Sequence, residues 1–544
     1  MPSYLASAKD SVLLRARAHV LEPICRNMPI HPFMSSLASN GNIYDALILL
    51  RGVSSNSAQT TVIPLSLLLG ACYPSPRVAA SLASDVRGFL LGLSTRGAFA
   101  QSLESYLDRN GNLIATDEFM LDVTSTSRDP NRSGIPRVVR NYASSGRFAS
   151  VAWSRNSRLS PVSYVGDEFL FSPEHWRPSR LPTRAIHALL VALGRLLKFR
   201  LVTRKPGLLS ALRSSLGDAY RLLLILTSPT ARTCLVPHSS AQLLEAEIPS
   251  TDVSRSIKTL KDADLLAGLS LFIHDTLPIT HPHFFPDHEK ARFVDLLPLL
   301  NAADNILVAS EHVYECLTPL INHPDRIHVI GLPTFTVDGG WPDSGVESDV
   351  SAEDAYVLVM GGADERKNVD WVLDIAGFVA QSASSPVHLK SVIGSVRQNE
   401  SLAKSLHRCR AAGARVDVVL RPTDAELALL ISNALAVVYC SAAEGYGLPI
   451  PEALALGIPV IATDIPPHRE FASLGSCTFV SLFNDLDLAA ALESTFRRTG
   501  VSVSRMSSSS SGQSLVDTPT WISEQFALLF PDDPTTVPAN SGST

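Results

Sequence analysis

The chain has 544 residues, 45% of them apolar and 18% charged, which allows roughly three to four domains of about 150 residues. Its 46 Lys and Arg against 52 Asp and Glu leave a formal charge of -6, so no general positive field exists to gather nucleic acid. Seven scattered cysteines form no C-x-x-C pair and no metal-ligand spacing, and no disulfide framework is expected.

The first stretch, MPSYLASAKDSVLLRARAHVLEP, carries acid and base inside its apolar run and is a poor signal peptide. Residues 1–115 mix helical-period runs such as VAASLASDVRGFLLGLS with turns, and read as a mainly helical region of unknown role. Its most apolar window, TTVIPLSLLLGACYP, is interrupted by Pro64 and falls short of the roughly 20 residues of a membrane span. The expectation is a cytoplasmic protein. From Phe119 the texture turns to short strands, and DVTSTSRDPNRSGIPRVVR, from Asp122 to Arg140, reads as strand, Gly-containing loop and helix.

Between Arg177 and Arg232 stand eleven Lys and Arg against one acid, Asp218, interleaved with apolar residues. Two readings stay open: core helices with a solvated basic face, or peripheral contact with the inner face of a membrane. Downstream, LSLFIHD, NILVAS, RIHVIG, YVLVMGG, HLKSVIG, RVDVVL, LAVVYCS and IPVIATD are strand-like runs separated by helix-length stretches, the pattern of parallel sheets covered by helices. A polar break near 337–355 and a Ser-rich one near 500–516 divide this half. The expected domains are 118–335 and 350–500, followed by a Ser-rich segment 501–517 and a C-terminal helix and tail 518–544.

The segment VVYCSAAEGYGLPIPEALALGIPVIATD, residues 437–464, reads as a strand, a loop with Glu444, Gly445 and Gly447, and a helix opened by Pro449 and Pro451 and closed by Gly457. Glycines there let a ligand approach the backbone, and the free N–H groups of a first helical turn suit a phosphate. Glu444 and Glu452 bracket that place, although Glu452 also fits as an ordinary first-turn carboxylate. In VLVMGGADERKNVDWVLDIA, residues 357–376, Gly361 and Gly362 leave a strand, and Arg366 and Lys367 follow where a diphosphate would lie beyond the strand's carboxyl end. A solvated helix start is the plainer alternative. No G-x-G-x-x-G or P-loop string occurs in the required context. His274, Asp275, His281, His283, Asp287 and His288 lack zinc-site spacing, and no metal is expected.

From about Asp122 to Phe526 the chain resembles retaining glycosyltransferases of family 4, in particular the mannosyl- and rhamnosyltransferases of bacterial surface-polysaccharide assembly. The matching strings are EGYGLPIPEA with Glu444 and Glu452, Glu365-Arg366-Lys367-Asn368 at the family's P-R-K-N loop, and SGIPRVVRN at 133–141. His274, Asp275, Pro278, Pro282, Phe285 and Pro286 match its HDxxPxxxPxxFP segment, and Ala309-Ser310-Glu311 its NSE string. The resemblance implies two Rossmann-like domains facing across a cleft, the GT-B architecture, with residues 1–115 outside it. It also implies transfer of a hexose, mannose favoured, from a nucleotide-sugar to a glycan or lipid-linked oligosaccharide. GDP-mannose is the favoured cosubstrate and no cofactor is implied.

By the same resemblance Lys367 and Arg366 bind the donor diphosphate, Glu444 the donor sugar and Glu452 the nucleotide ribose. Gly134, Gly361, Gly362, Gly445, Tyr446, Gly447 and Leu448 complete the donor side. Gly134 is its close-approach glycine, and His274 and Asp275 face the acceptor. Pro466, Pro467 and Glu470 fall on a donor-side loop, and the helix with Trp521 on a segment that packs back across the domains. Glu444, Lys367 and Arg366 are the expected catalytic groups. Many family members carry Arg where this chain has Gly362, so a non-catalytic scaffold of the same fold remains an alternative, as does a sugar-nucleotide epimerase.

Overall fold

A computed structural model describes residues 8–40, 42–50, 53, 58–74, 76–108, 112–116, 118–127, 134–153, 158–165, 168–171, 233–237, 240–333, 355–383, 386–393, 400–497 and 518–529. The basic stretch from Arg177 to Arg232, the break near 337–355 and the Ser-rich segment 501–517 therefore lie outside the described residues, apart from Ala355 at the edge of the break. The chain divides into two compact units, Met1–Asp129 with Gly146–Glu245 and Pro249–Leu269, and Pro130–Ser145 with Ala246–Ile248 and Ser270–Thr544.

The first unit opens with helices Ala8–Ile24, His31–Asn40, Ile43–Leu50, Ala58–Gly70, Pro76–Leu90 and Arg96–Glu104. Pro64 lies inside the fourth rather than ending it. That helix leaves carbonyls at its C-terminus, and the buried guanidinium of Arg17 takes two of them, Leu68 O at 2.9 Å and Leu69 O at 2.6 Å. Strands β1 (Asn112–Thr116), β2 (Phe119–Asp122), β3 (Ala149–Trp153), β4 (Leu159–Val165), β5 (Glu168–Phe171), β6 (Thr233–Pro237) and β7 (Gln242–Glu245) follow. β1 pairs with β6 in parallel; β2 lies between β7 and β3 in parallel, and β4 joins β3 and β5 antiparallel. Tyr73 ties the helices to this framework, donating to Leu235 O at 2.9 Å with its ring 5.4 Å from that of Trp153.

In the second unit, helix Ile135–Ser144 starts at Gly134, and β8 (Gly268–Ile273, in this unit from Ser270), β9 (Asn305–Val308) and β10 (Ile327–Val329) form parallel pairs. Then come β11 (Val357–Met360), β12 (His388–Ile393), β13 (Arg415–Leu420), β14 (Ala436–Tyr439), β15 (Val460–Thr463) and β16 (Cys477–Val480), a six-stranded all-parallel sheet in the order β13-β12-β11-β14-β15-β16. Alternation along β11 explains why both faces are covered. Val357 and Val359 point into a core with helices Val369–Ser382 and Asp485–Arg497, while Leu358 and Met360 point into another with Ile450 and Ala453. Each expected strand run from LSLFIHD to IPVIATD is a strand. The sequence reading passed over β1, β3, β6, β7 and β16, short segments without a long β-branched run.

Candidate functional site

The sheet's order reverses between β11 and β14, the switch point beyond whose carboxyl ends ligands of open α/β sheets sit. The loop after β11 is tight. A Cβ on Gly361 would lie 2.8 Å from Val369 Cγ2 and 2.9 Å from Lys367 Cβ, and Gly362 has φ +80°. This is why glycine stands at both positions, and why an Arg at Gly362 would strain the backbone. Asp364 then accepts from the Arg366 amide at 3.1 Å, starting the short turn Glu365–Lys367. Asn368 takes the left-handed conformation, φ +49°, and its side-chain amide donates to Cys440 O at 2.9 Å. The Ala442 amide donates to Arg366 O at 2.8 Å, so the two loops are stitched together.

That stitching brings both cations to one carboxylate. Lys367 Nζ lies 2.5 Å from Glu444 Oε1 and Arg366 Nη1 2.9 Å from Oε2. Tyr439, the last residue of β14, donates its hydroxyl to Oε1 at 2.7 Å and accepts from Lys367 Nζ at 2.6 Å. Arg366 Nη1 also donates to Ala443 O at 2.5 Å. Burial alone would push the Glu444 carboxyl up; Lys367 and then Arg366 outweigh it and hold it well below the usual carboxylate range. Asp364 Oδ2 also lies 3.5 Å from Arg366 Nη2, so the two cations at the switch point face a second carboxylate besides Glu444.

Behind this cluster, His468 is fully buried, its Nδ1 donating to Thr463 O at 2.9 Å and its ring 5.4 Å from Tyr439. Burial lowers its pKa to about 4, so it is neutral. Gly447, φ +97°, makes room for it, since a Cβ there would lie 3.2 Å from His468 Cδ2. Gly445 is required by packing, because a Cβ would run into His274 O and Asp275. Its own carbonyl accepts from Ser310 Oγ at 2.6 Å. Tyr446 has its hydroxyl on Leu332 O at 3.4 Å and its ring edge-on to Phe471. Leu448 opens helix Pro449–Ala455, and its carbonyl accepts the Glu452 amide at 3.1 Å.

Glu452 is 2% exposed, and its Oε1 is paired with Nη2 of Arg137 from helix Ile135–Ser144. Arg137 Nη1 lies 3.9 Å from Asp424. Burial raises the Glu452 pKa against the opposing effect of Arg137. Gly134 needs its glycine for φ +66°, and a Cβ there would meet open space. His274 donates from Nε2 to Ala246 O at 2.9 Å and packs on Phe272, and burial lowers its pKa to about 4. Asp275 Oδ1 accepts from the Leu277 amide at 3.0 Å, and burial raises its pKa. Glu470 accepts the Glu311 and His312 amides at 3.2 and 3.0 Å, at the start of helix Glu311–Leu317.

Lys367, Arg366 and Glu444 are thus in direct contact, whereas Glu452 belongs to a separate pair. Sequence reasoning assigned no role to Tyr439, His468 or Arg137. Arg137 lay in plain view within SGIPRVVRN, but its partner is 315 residues away. His468 is next to the quoted Pro467, and only its burial sets it apart.

Residues 346–498 match the family described as Glycosyl transferases group 1. That match covers the six-stranded sheet and its helices: the matched domain is that of a glycosyltransferase, and with the other α/β sheet system the architecture is of GT-B type. Among solved structures, the chain is similar to the sucrose-phosphate synthase of Thermosynechococcus elongatus at 16% identity and a TM-score of 0.46, over 77% of this chain and 98% of that one. It is also similar to Anabaena HepE in complex with UDP and glucose, at 15% identity and a TM-score of 0.38, over 57% and 89%. A third is the pneumococcal O-GlcNAc transferase GtfA in complex with UDP and GlcNAc, at 14% and 0.35, over 48% and 50%. No curated relative matches the chain.

Proposed function

We propose that the chain is a retaining glycosyltransferase that moves a hexose, mannose from GDP-mannose in the first instance, to a glycan or lipid-linked oligosaccharide. The observation that carries this reading is the convergence of Lys367 and Arg366 on Glu444 at the sheet's switch point. Breaking the anomeric bond places growing negative charge on the leaving diphosphate, and fixed cations stabilise it without reorganising. Glu444 holds both cations in place and accepts from donor-sugar hydroxyls; Glu452 accepts from the ribose. His274 and Asp275 lie on the acceptor side. In this reading 118–335 is the acceptor-side domain and 350–500 the donor-binding one.

Lys367→Ala should lower single-turnover transfer by about 10²–10³-fold while weakening donor affinity much less. Glu444→Gln should also depress transfer, after thermal melting has shown that loss of a buried charge leaves the chain folded. Calorimetry and transfer assays with GDP-mannose, UDP-glucose and a glycolipid extract measure both, and NMR of the product reports the anomeric configuration. Near-wild-type transfer by both variants would overturn the assignment. Donor binding by the wild type without transfer to any acceptor would favour the scaffold.

A further inference from the structure

We propose that Arg137 is a positioning residue for the donor, its guanidinium orienting the Glu452 carboxylate as the acceptor of the ribose hydroxyls of a nucleoside diphosphate. This rests on the reading of Glu452 as the ribose-binding residue. Arg137 is the third residue of helix Ile135–Ser144, within the first turn, where the helix dipole disfavours a cation. The helix itself therefore gives no reason for an arginine there. Its side chain is 13% exposed and that of Glu452 2%, and both belong to the second unit. A buried ion pair of this kind adds little net stability, because desolvation offsets the attraction. What it does add is direction, since it engages Oε1 and fixes the carboxylate's rotation.

The charged and titratable groups facing Glu452 are Arg137, Asp424 and Tyr446. Burial favours the protonated carboxyl and Asp424 adds to that; Arg137 is the group that opposes both. A protonated Glu452 would offer one good acceptor oxygen instead of two, and recognition of a ribose diol would weaken.

The test titrates GDP and UDP, each in ribo and 2′-deoxy form, against wild type, Arg137→Gln, Arg137→Lys and Glu452→Gln from about pH 5.5 to 8.5. Wild type should prefer the ribonucleotide by about tenfold or more, as for a hydrogen bond to a charged acceptor. Arg137→Gln should lose most of that preference near neutrality and recover it as pH rises, while Arg137→Lys keeps it and the 2′-deoxy affinity stays within about twofold throughout. If Arg137→Gln keeps the preference at every pH while Glu452→Gln abolishes it, the inference fails and the reading of Glu452 stands. Equal loss for ribo and 2′-deoxy forms means a structural role and also overturns it. A preference untouched by Glu452→Gln overturns the reading of Glu452 itself. Should Arg137→Gln not fold, Asp424→Asn on the half-exposed helix start serves instead: the preference should then persist to lower pH than in wild type, and an unchanged midpoint overturns the proposal.

Discussion

At the scale of single residues, the site depends on what burial does to charge. Glu444 stays ionised because two cations face it, whereas His274, on Ala246 O, and His468, on Thr463, have no carboxylate hydrogen-bonded to them and burial holds them neutral. Both histidines fall to about 4 from an ordinary value near 6.5. Between those limits the unfolded chain binds more protons than the folded one, so their contribution to stability is fully present above about pH 6.5 and is lost as pH falls toward 4. Each accounts for roughly 2–3 kcal/mol over that window. Urea melts at about pH 7.5 and 5 should show the loss, and His468→Asn should shrink the difference between the two. An identical pH dependence in the variant would contradict it. Glycines divide in the same physical terms: Gly445 is excluded from bearing a side chain by Asp275, Gly134 and Gly362 by their backbone angles.

At the scale of elements, helix Thr518–Leu529 buries Trp521, Ile522, Phe526 and Leu529, and Trp521 is the largest of these. Trp521 is 2% exposed, donates from Nε1 to Ile330 O at 3.2 Å and packs its ring tilted against that of Tyr142, 5.0 Å away, in helix Ile135–Ser144, the helix that carries Arg137. Trp521→Ala should cost about 3–5 kcal/mol, and Trp521→Phe, which keeps the ring and loses the hydrogen bond, about 1 kcal/mol. Chemical denaturation measures both, and limited proteolysis should cut the Ala variant within 518–529 first. Equal stability of wild type and Trp521→Ala would show that the Trp521 side chain contributes no packing. Inner strands of the six-stranded sheet such as β11 and β14 were legible because both faces are buried, which forces runs such as YVLVM and LAVVY. QLLE and CTFV were not, since a four-residue strand with few β-branched residues differs little from a loop until its neighbours are known.

For the whole molecule, no helix among the described residues is long and apolar enough to cross a membrane. We propose that the basic, apolar-rich stretch from Arg177 to Arg232 brings the enzyme to an anionic lipid surface. Flotation with vesicles should then rise with anionic lipid content and fall when several of these cations are neutralised; binding indifferent to both would reject the idea. The sequence by itself determined the class, since EGYGLPIPEA, ERKN and the strand-helix alternation are local patterns imposed by tight turns and by strands covered on both faces. Only the tertiary structure decided who pairs with whom. Lys367 and Glu444 are 77 residues apart and Arg137 and Glu452 are 315 apart, and both pairs exist because strand order and helix docking bring separate loops together while burial makes each charge require its partner.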